Sequence, residues 1–108
     1  MTIFVEVKYA KRTHLIAMLF FSDANIASLR TREALDEMAK RGSQGFTLKV
    51  RGVDYESKKE FCKQYGVYGV PVTLVFLNEE LRGRHYGEIS SEEFKIIFNS
   101  YSGFEGEL

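Results

Sequence analysis

From His14 to Phe21 the chain reads His-Leu-Ile-Ala-Met-Leu-Phe-Phe, almost without polar interruption. A run of that kind suits a central strand buried on both faces. A second run, Val72 to Leu77, directly follows Pro71, the only proline in the chain. Proline donates no ladder hydrogen bond, so it is tolerated at the entry of a strand but not inside one. Phe46 to Val53 alternates at Phe46, Leu48 and Val50 and predicts a third strand. Residues 2–9 also alternate and carry β-branched side chains, which predicts an edge strand. After Asn78-Glu79-Glu80 the segment Leu81 to Tyr86 reads as the return strand of a hairpin.

Three segments change period. Between Ile26 and Arg41, Ala27, Thr31, Ala34, Leu35 and Met38 recur at helical spacing and share one face. Lys40 and Arg41 suit the negative end of that helix's dipole, and Gly42 suits its cap. Ser57-Lys58-Lys59-Glu60 has the form of a capping box opening a short helix, with Phe61, Cys62 and Tyr65 on one side. Ser90-Ser91-Glu92-Glu93 repeats the form before Phe94, Ile97, Phe98 and Tyr101, an amphipathic helix that would dock on the sheet. Residues 102–108 contain Gly and Glu and are expected to fray. Ala10 to Thr13 is polar and short, a turn or a brief helix. The succession predicts a single α/β domain over residues 1–108, a mixed sheet covered on both faces.

The totals remove several classes of function. Fifteen basic side chains balance 15 acidic ones, so the chain has no basic footprint for nucleic acid or an anionic membrane. No apolar run approaches the ~20 residues needed to cross a bilayer. Glu6, Lys8, Lys11 and Arg12 interrupt any apolar leader. A single cysteine cannot form an internal disulfide, which fits a reducing compartment and predicts a cytoplasmic protein. Two distant histidines and one cysteine do not supply the three or four ligands of a metal centre, and no phosphate-binding or dinucleotide-binding glycine motif is present. Neither metal nor cofactor is expected.

Tyr65-Gly66-Val67-Tyr68-Gly69-Val70-Pro71 followed by an apolar strand resembles the cis-proline segment of the thioredoxin superfamily. Spacing alone leaves the isomer of the Val70–Pro71 bond open; the resemblance implies cis. It extends upstream to the strand ending Phe20-Phe21, the helix containing Leu35-Asp36-Glu37-Met38-Ala39 and the strand ending Val53-Asp54. Downstream it takes in the hairpin ending Tyr86-Gly87 and the last helix. Residues 14–101 follow the family's order, which implies a thioredoxin-like three-layer sandwich with about five strands.

The same alignment places Asn25-Ile26-Ala27-Ser28 where the family carries Cys-x-x-Cys. A thiol at that helix tip would be acidified by the dipole and by free N–H groups. An asparagine amide is neither anion nor nucleophile, and a serine hydroxyl needs an adjacent base to ionise. The family's buried, proton-shuttling aspartate corresponds to Leu19, and its tryptophan to Ala24. Four functional positions have changed together, which implies a natural non-redox branch rather than a trapped oxidoreductase.

What the resemblance still implies is a binding groove. It would be formed by Ala24, Asn25, Ile26, Ala27 and Ser28, by Tyr68, Val70 and Pro71, and by the loop Tyr86–Glu88 with Gly87 at its centre. Val70 would offer backbone N–H and C=O to an extended protein or peptide partner by strand addition, with Ile26 and Tyr68 adding apolar contact. Each residue also has a plainer reading: Asn25 as a helix cap, Ser28 as a first-turn residue, Ile26 as a lone exposed apolar side chain, Pro71 as a determinant of the fold. The groove reading makes the protein an interaction module or an assembly subunit, with oligomers possible. The alternative is a glutathione binder or transferase-like protein using Asn25 or Ser28, although those enzymes carry a second helical domain. Chemistry by Cys62 alone is the weakest reading, because a lone thiol usually packs as a small hydrophobe. His85 with Arg82 and Arg84 reads as a solvated strand edge.

Overall fold

The computed structural model describes residues 13–42 and 45–106. In chain order these form β1 (Thr13–Phe21), α1 (Ile26–Arg41), β2 (Phe46–Asp54), α2 (Lys59–Gln64), β3 (Val72–Leu77), β4 (Glu80–Tyr86) and α3 (Ser91–Gly106). The strand expected over residues 2–9 lies outside the described residues. Those described make a four-stranded sheet in the order β2-β1-β3-β4. The last helix continues past Tyr101, where a tail was expected, to Gly106.

β1 is central because it can be wet on neither face. It runs parallel to β2, with Leu15 opposite Leu48 and Phe21 opposite Asp54, and antiparallel to β3, with Leu15 opposite Leu77 and Phe20 opposite Val72. Its alternate side chains feed two cores. Leu15, Ala17, Leu19 and Phe21 join Ala34 and Leu35 of α1 and Phe94 and Phe98 of α3. Phe20 joins Cys62, Val67, Val72 and Leu74 beneath α2, with Phe61 and Tyr65 packed against them. Burying each Leu or Phe stabilises by about 1.5–3 kcal/mol, so an unbroken apolar run is stable only in the middle of such a sandwich. Helices on both faces of a mixed sheet are the α/β layering expected.

The two capping boxes have different fates. At α3 the box closes: Glu93 Oε1 accepts from the Ser90 N–H at 2.8 Å, and Ser90 Oγ accepts from the Glu93 N–H at 3.2 Å. At α2 it does not form. The Ser57 hydroxyl donates instead to Asp54 Oδ2 at 3.0 Å, and Lys58 occupies the N-cap position without a side-chain cap. Asp54 Oδ1 also accepts from the Glu56 N–H, so the aspartate organises its own turn and takes the serine from the helix.

β3 and β4 are joined by Asn78 and Glu79 alone, with φ of 49° and 75°. Positive φ at both central residues matches the twist of a hairpin. Asn78 suits that conformation and also anchors the turn to β1: its N–H donates to the His14 carbonyl at 2.8 Å, and its Oδ1 accepts from the His14 N–H at 3.0 Å. Glu79 has no such compensation. Glu79→Gly is expected to raise the unfolding free energy by about 1 kcal/mol in urea titration, because glycine carries no Cβ penalty in the left-handed region.

Candidate functional site

Strand direction decides which loops meet. β1 ends at Phe21, β3 begins opposite Phe20, and β4 ends at Tyr86, opposite Val72. The loop after β1, the segment before Pro71 and the loop after β4 therefore share one end of the sheet. Hydrogen bonds tie them together. The Gly87 N–H donates to the Pro71 carbonyl at 2.9 Å, with Gly87 in the left-handed region at φ 87°. The Ile89 N–H donates to Thr31 Oγ1 of α1 at 3.2 Å, and that hydroxyl donates to the Ala27 carbonyl at 2.8 Å. The Val70–Pro71 peptide bond is cis.

Of the expected groove residues, most stand at this end, and not all face outward. Ile26 is 66% exposed and Tyr68 72% exposed. Ala24 is exposed, with its N–H donating to Ser22 Oγ; Ala27 and Val70 are half-buried, and Pro71 is buried. Asn25 is the N-cap of α1, its Oδ1 accepting from the Ser28 N–H at 2.7 Å. Ser28 is a correction. It is fully buried, and its Oγ accepts from the Ser22 N–H at 3.2 Å. The helix rotates so that Ser28, Thr31, Ala34 and Leu35 face the sheet, and the small hydroxyl closes the β1–α1 turn from within. A serine so placed cannot meet a partner or a bound thiol, and Asn25 has its carbonyl engaged. The arrangement removes Ser28 from the surface and leaves Asn25 as a cap.

One expected loop residue and one unexpected turn complete this end of the sheet. Tyr86, 68% exposed, joins Ile26 and Tyr68 at the loop end, and Leu29, 38% exposed, stands one turn along α1. The turn after β2 also reaches this end. The Tyr55 N–H donates to the Phe21 carbonyl at 2.9 Å, and the Ser22 hydroxyl lies 3.4 Å from Glu56 Oε2. The one available signal was the parallel partner that β1 had to have. Charges around the groove are paired: Arg32 lies 3.7 Å from Asp23 and stacks 4.6 Å over the Phe21 ring, and Arg30 lies 3.9 Å from Glu88. Such exposed pairs contribute little to stability but leave the apolar side chains as the distinctive chemistry of the groove. Two concavities among the described residues lie elsewhere. One of about 800 Å³ lies between the hairpin and α3, at Leu77, Arg82 and Tyr101, and one of about 310 Å³ lies at His14, Thr47 and Lys49. Both are at the opposite end of the sheet.

No arrangement for thiol chemistry stands at the helix tip. Leu19 is 1% exposed within the apolar core. Cys62 is buried under α2, and burial pushes its thiol up, with Lys59 opposing the rise and Asp54 adding to it. A thiol held protonated is a poor nucleophile. His14 is exposed at the start of β1, its Nδ1 2.8 Å from Thr47 Oγ1, far along the strand from the groove loops.

A mixed sheet with helices on both faces, a cis bond ahead of β3 and the groove loops gathered at one sheet end define a thioredoxin-like fold. Solved structures agree. The chain is similar to a malarial protein at 16% identity, covering 81% of this chain and 96% of that one, with a TM-score of 0.72. It is similar to thioredoxin-2, a component of the malaria parasite protein secretion machinery, at 17% identity over 82% of this chain and 84% of that one, TM-score 0.72. It is also similar to a mutant thioredoxin from Halobacterium salinarum at 19% identity over 94% and 85%, TM-score 0.73. At these identities the likeness is one of fold. No family model and no curated protein matches the chain.

Proposed function

We propose that this protein is a non-catalytic interaction module of thioredoxin-like fold, a single unit acting in the cytoplasm. It binds a protein or peptide across the groove formed by Ala24–Ala27, Tyr68–Pro71 and Tyr86–Gly87. The observation that carries this reading is the gathering of three large, well-exposed side chains, Ile26, Tyr68 and Tyr86, at the one end where the loops converge. Scattered exposed apolar residues need no explanation, whereas aromatic ones gathered around a backbone cleft are typical of contact surfaces. The backbone supports it too. Val70 lies outside the ladder, beside the start of β3, so an extended segment could add to it as a strand. Among the described residues no helix is long and apolar enough to cross a membrane. A subunit role in a larger assembly fits the same surface; thioredoxin-2 of the malaria parasite is described as a component of such machinery.

The test is co-purification from the native host with the intact chain as bait. Tyr68→Ala and Ile26→Asp are each expected to weaken recovery of the partner by roughly 30-fold or more, the effect of truncating a central contact residue. Ile96→Asp, on an exposed face of α3, should leave recovery unchanged. A partner retained equally by all three variants would place the contact elsewhere. Disulfide reduction that disappears in Cys62→Ala would overturn the non-catalytic reading.

A further inference from the structure

On the α3 side of the sheet two buried polar atoms stand side by side without partners. Thr73 of β3 and His85 of β4 are directly opposite in the ladder. Thr73 is fully buried. Among the described residues neither Thr73 Oγ1 nor His85 Nε2 has a hydrogen-bond partner. Buried polar atoms are rarely left so, and each exception calls for a reason. The surrounding space is tight. Gly83 lies on the same face of β4, two residues before His85. A Cβ placed there would run into the Tyr101 hydroxyl of α3 and would come within 3.1 Å of His85 Nε2. The glycine is what lets the tyrosine reach the strand, and it brings helix hydroxyl and imidazole to the same spot.

We propose that His85, with Thr73 and Tyr101, forms an acid-sensitive joint between β4 and α3, closed while the imidazole is neutral and opened when it is protonated. A neutral ring tolerates this setting. An imidazolium would need an anion, and none of residues 13–42 and 45–101 supplies one. β3 faces the ring with Thr73 and Val75. The inward stripe of α3 is Phe94, Ile97, Phe98 and Tyr101, while Glu92, Glu93 and Lys95 are exposed off that stripe. On β4 itself Arg84 lies on the opposite face, and Arg82 is held by Glu80 at 3.0 Å. Glu88, in the loop beyond, pairs with Arg30. Burial accordingly holds the imidazole below its ordinary value. A folded-state value below the unfolded one means that stability is complete above about pH 6.5, the ordinary value for histidine. It is lost as pH falls from there through the folded-state value. The joint also adjoins the groove, since Tyr86 and Gly87 follow His85 directly and Gly87 bonds to Pro71. The inference does not depend on what the groove binds.

The experiment is amide hydrogen exchange on the intact chain between pH 7.5 and 5.0, corrected for intrinsic rates. Protection of α3 from Phe94 to Tyr101 is compared with that of β1. In the natural chain α3 protection should fall severalfold relative to β1 as pH drops. His85→Gln should make it flat across the range, and His14→Gln, at an exposed ring, should leave the fall unchanged. Flat protection in the natural chain, an undiminished fall in His85→Gln, or equal loss in β1 would each overturn the proposal. Should His85→Gln not fold, the imidazole resonances of the natural chain serve instead. Amide shifts of α3 that follow the His85 titration support the joint, and shifts that follow His14 refute it.

Discussion

Phe98→Ala should lower the unfolding free energy by about 3–5 kcal/mol, the cost of truncating a large buried aromatic and leaving a cavity. The residue is fully buried and joins three elements. Its ring stacks on Phe94 at a centroid distance of 5.4 Å and 10°, and meets the edge of Phe46 of β2 at 5.9 Å and 62°. Aromatic pairs of this geometry add about 0.5–1.5 kcal/mol beyond the area they bury. The same helix provides the control. Ile96 is 70% exposed, and Ile96→Ala should stay within about 0.5 kcal/mol of the natural chain. Urea titration of both variants checks the pair. Equal losses would mean that α3 is not docked through Phe98.

Leu19→Asp carries the second large effect and bears directly on function. Leu19 stands where the resemblance puts a buried, proton-shuttling aspartate, and it lies in the largely apolar core between the sheet, α1 and α3, directly opposite Thr73. Returning a carboxyl to this position is expected to cost on the order of 4 kcal/mol at pH 7, from lost leucine packing and a buried acid with no cation and only the Thr73 hydroxyl across the ladder. Burial would hold that carboxyl neutral, raising its folded-state value above the unfolded one. The variant should therefore come closest to the natural chain in acid and fall further behind as pH rises through and above the ordinary aspartate range. Denaturant titrations near pH 4.5 and pH 7 measure the difference. A variant as stable as the natural chain at both values would mean that the site still accommodates an acid, and would weaken the case that the redox apparatus has been lost.

Much of the fold was legible because it rests on short-range periods. The double-faced runs at β1 and β3, the alternation of β2 and the helical stripe of α1 each repeat within a few residues, and α1 begins and ends where its caps predict, at Asn25 and Gly42. The proposed groove was legible less evenly. Ile26 and Tyr68 are well exposed, as the proposed groove needs. Ser28 was misplaced because the spacing of Ala27, Thr31 and Leu35 fits a helical face as well as that of Ser28, Thr31 and Leu35. Only the sheet beneath α1 selects between Ala27 and Ser28, which lie about 100° apart around the helix. The box at Ser57 failed for a related reason: the competing Asp54 lies just outside the pattern that signals a cap.

Among the described residues, the sequence by itself determined which segments are strands and helices and which must be central, and it shows no pair of thiols at the tip of α1. Those properties are written in residue type and near-neighbour spacing. Tertiary structure alone decided that Gly87 bonds to Pro71, that Ser28 turns inward, and that His85 and Thr73 face each other without partners. Each of those depends on strand register and helix rotation, which are set by packing between residues far apart in the chain and leave no local mark.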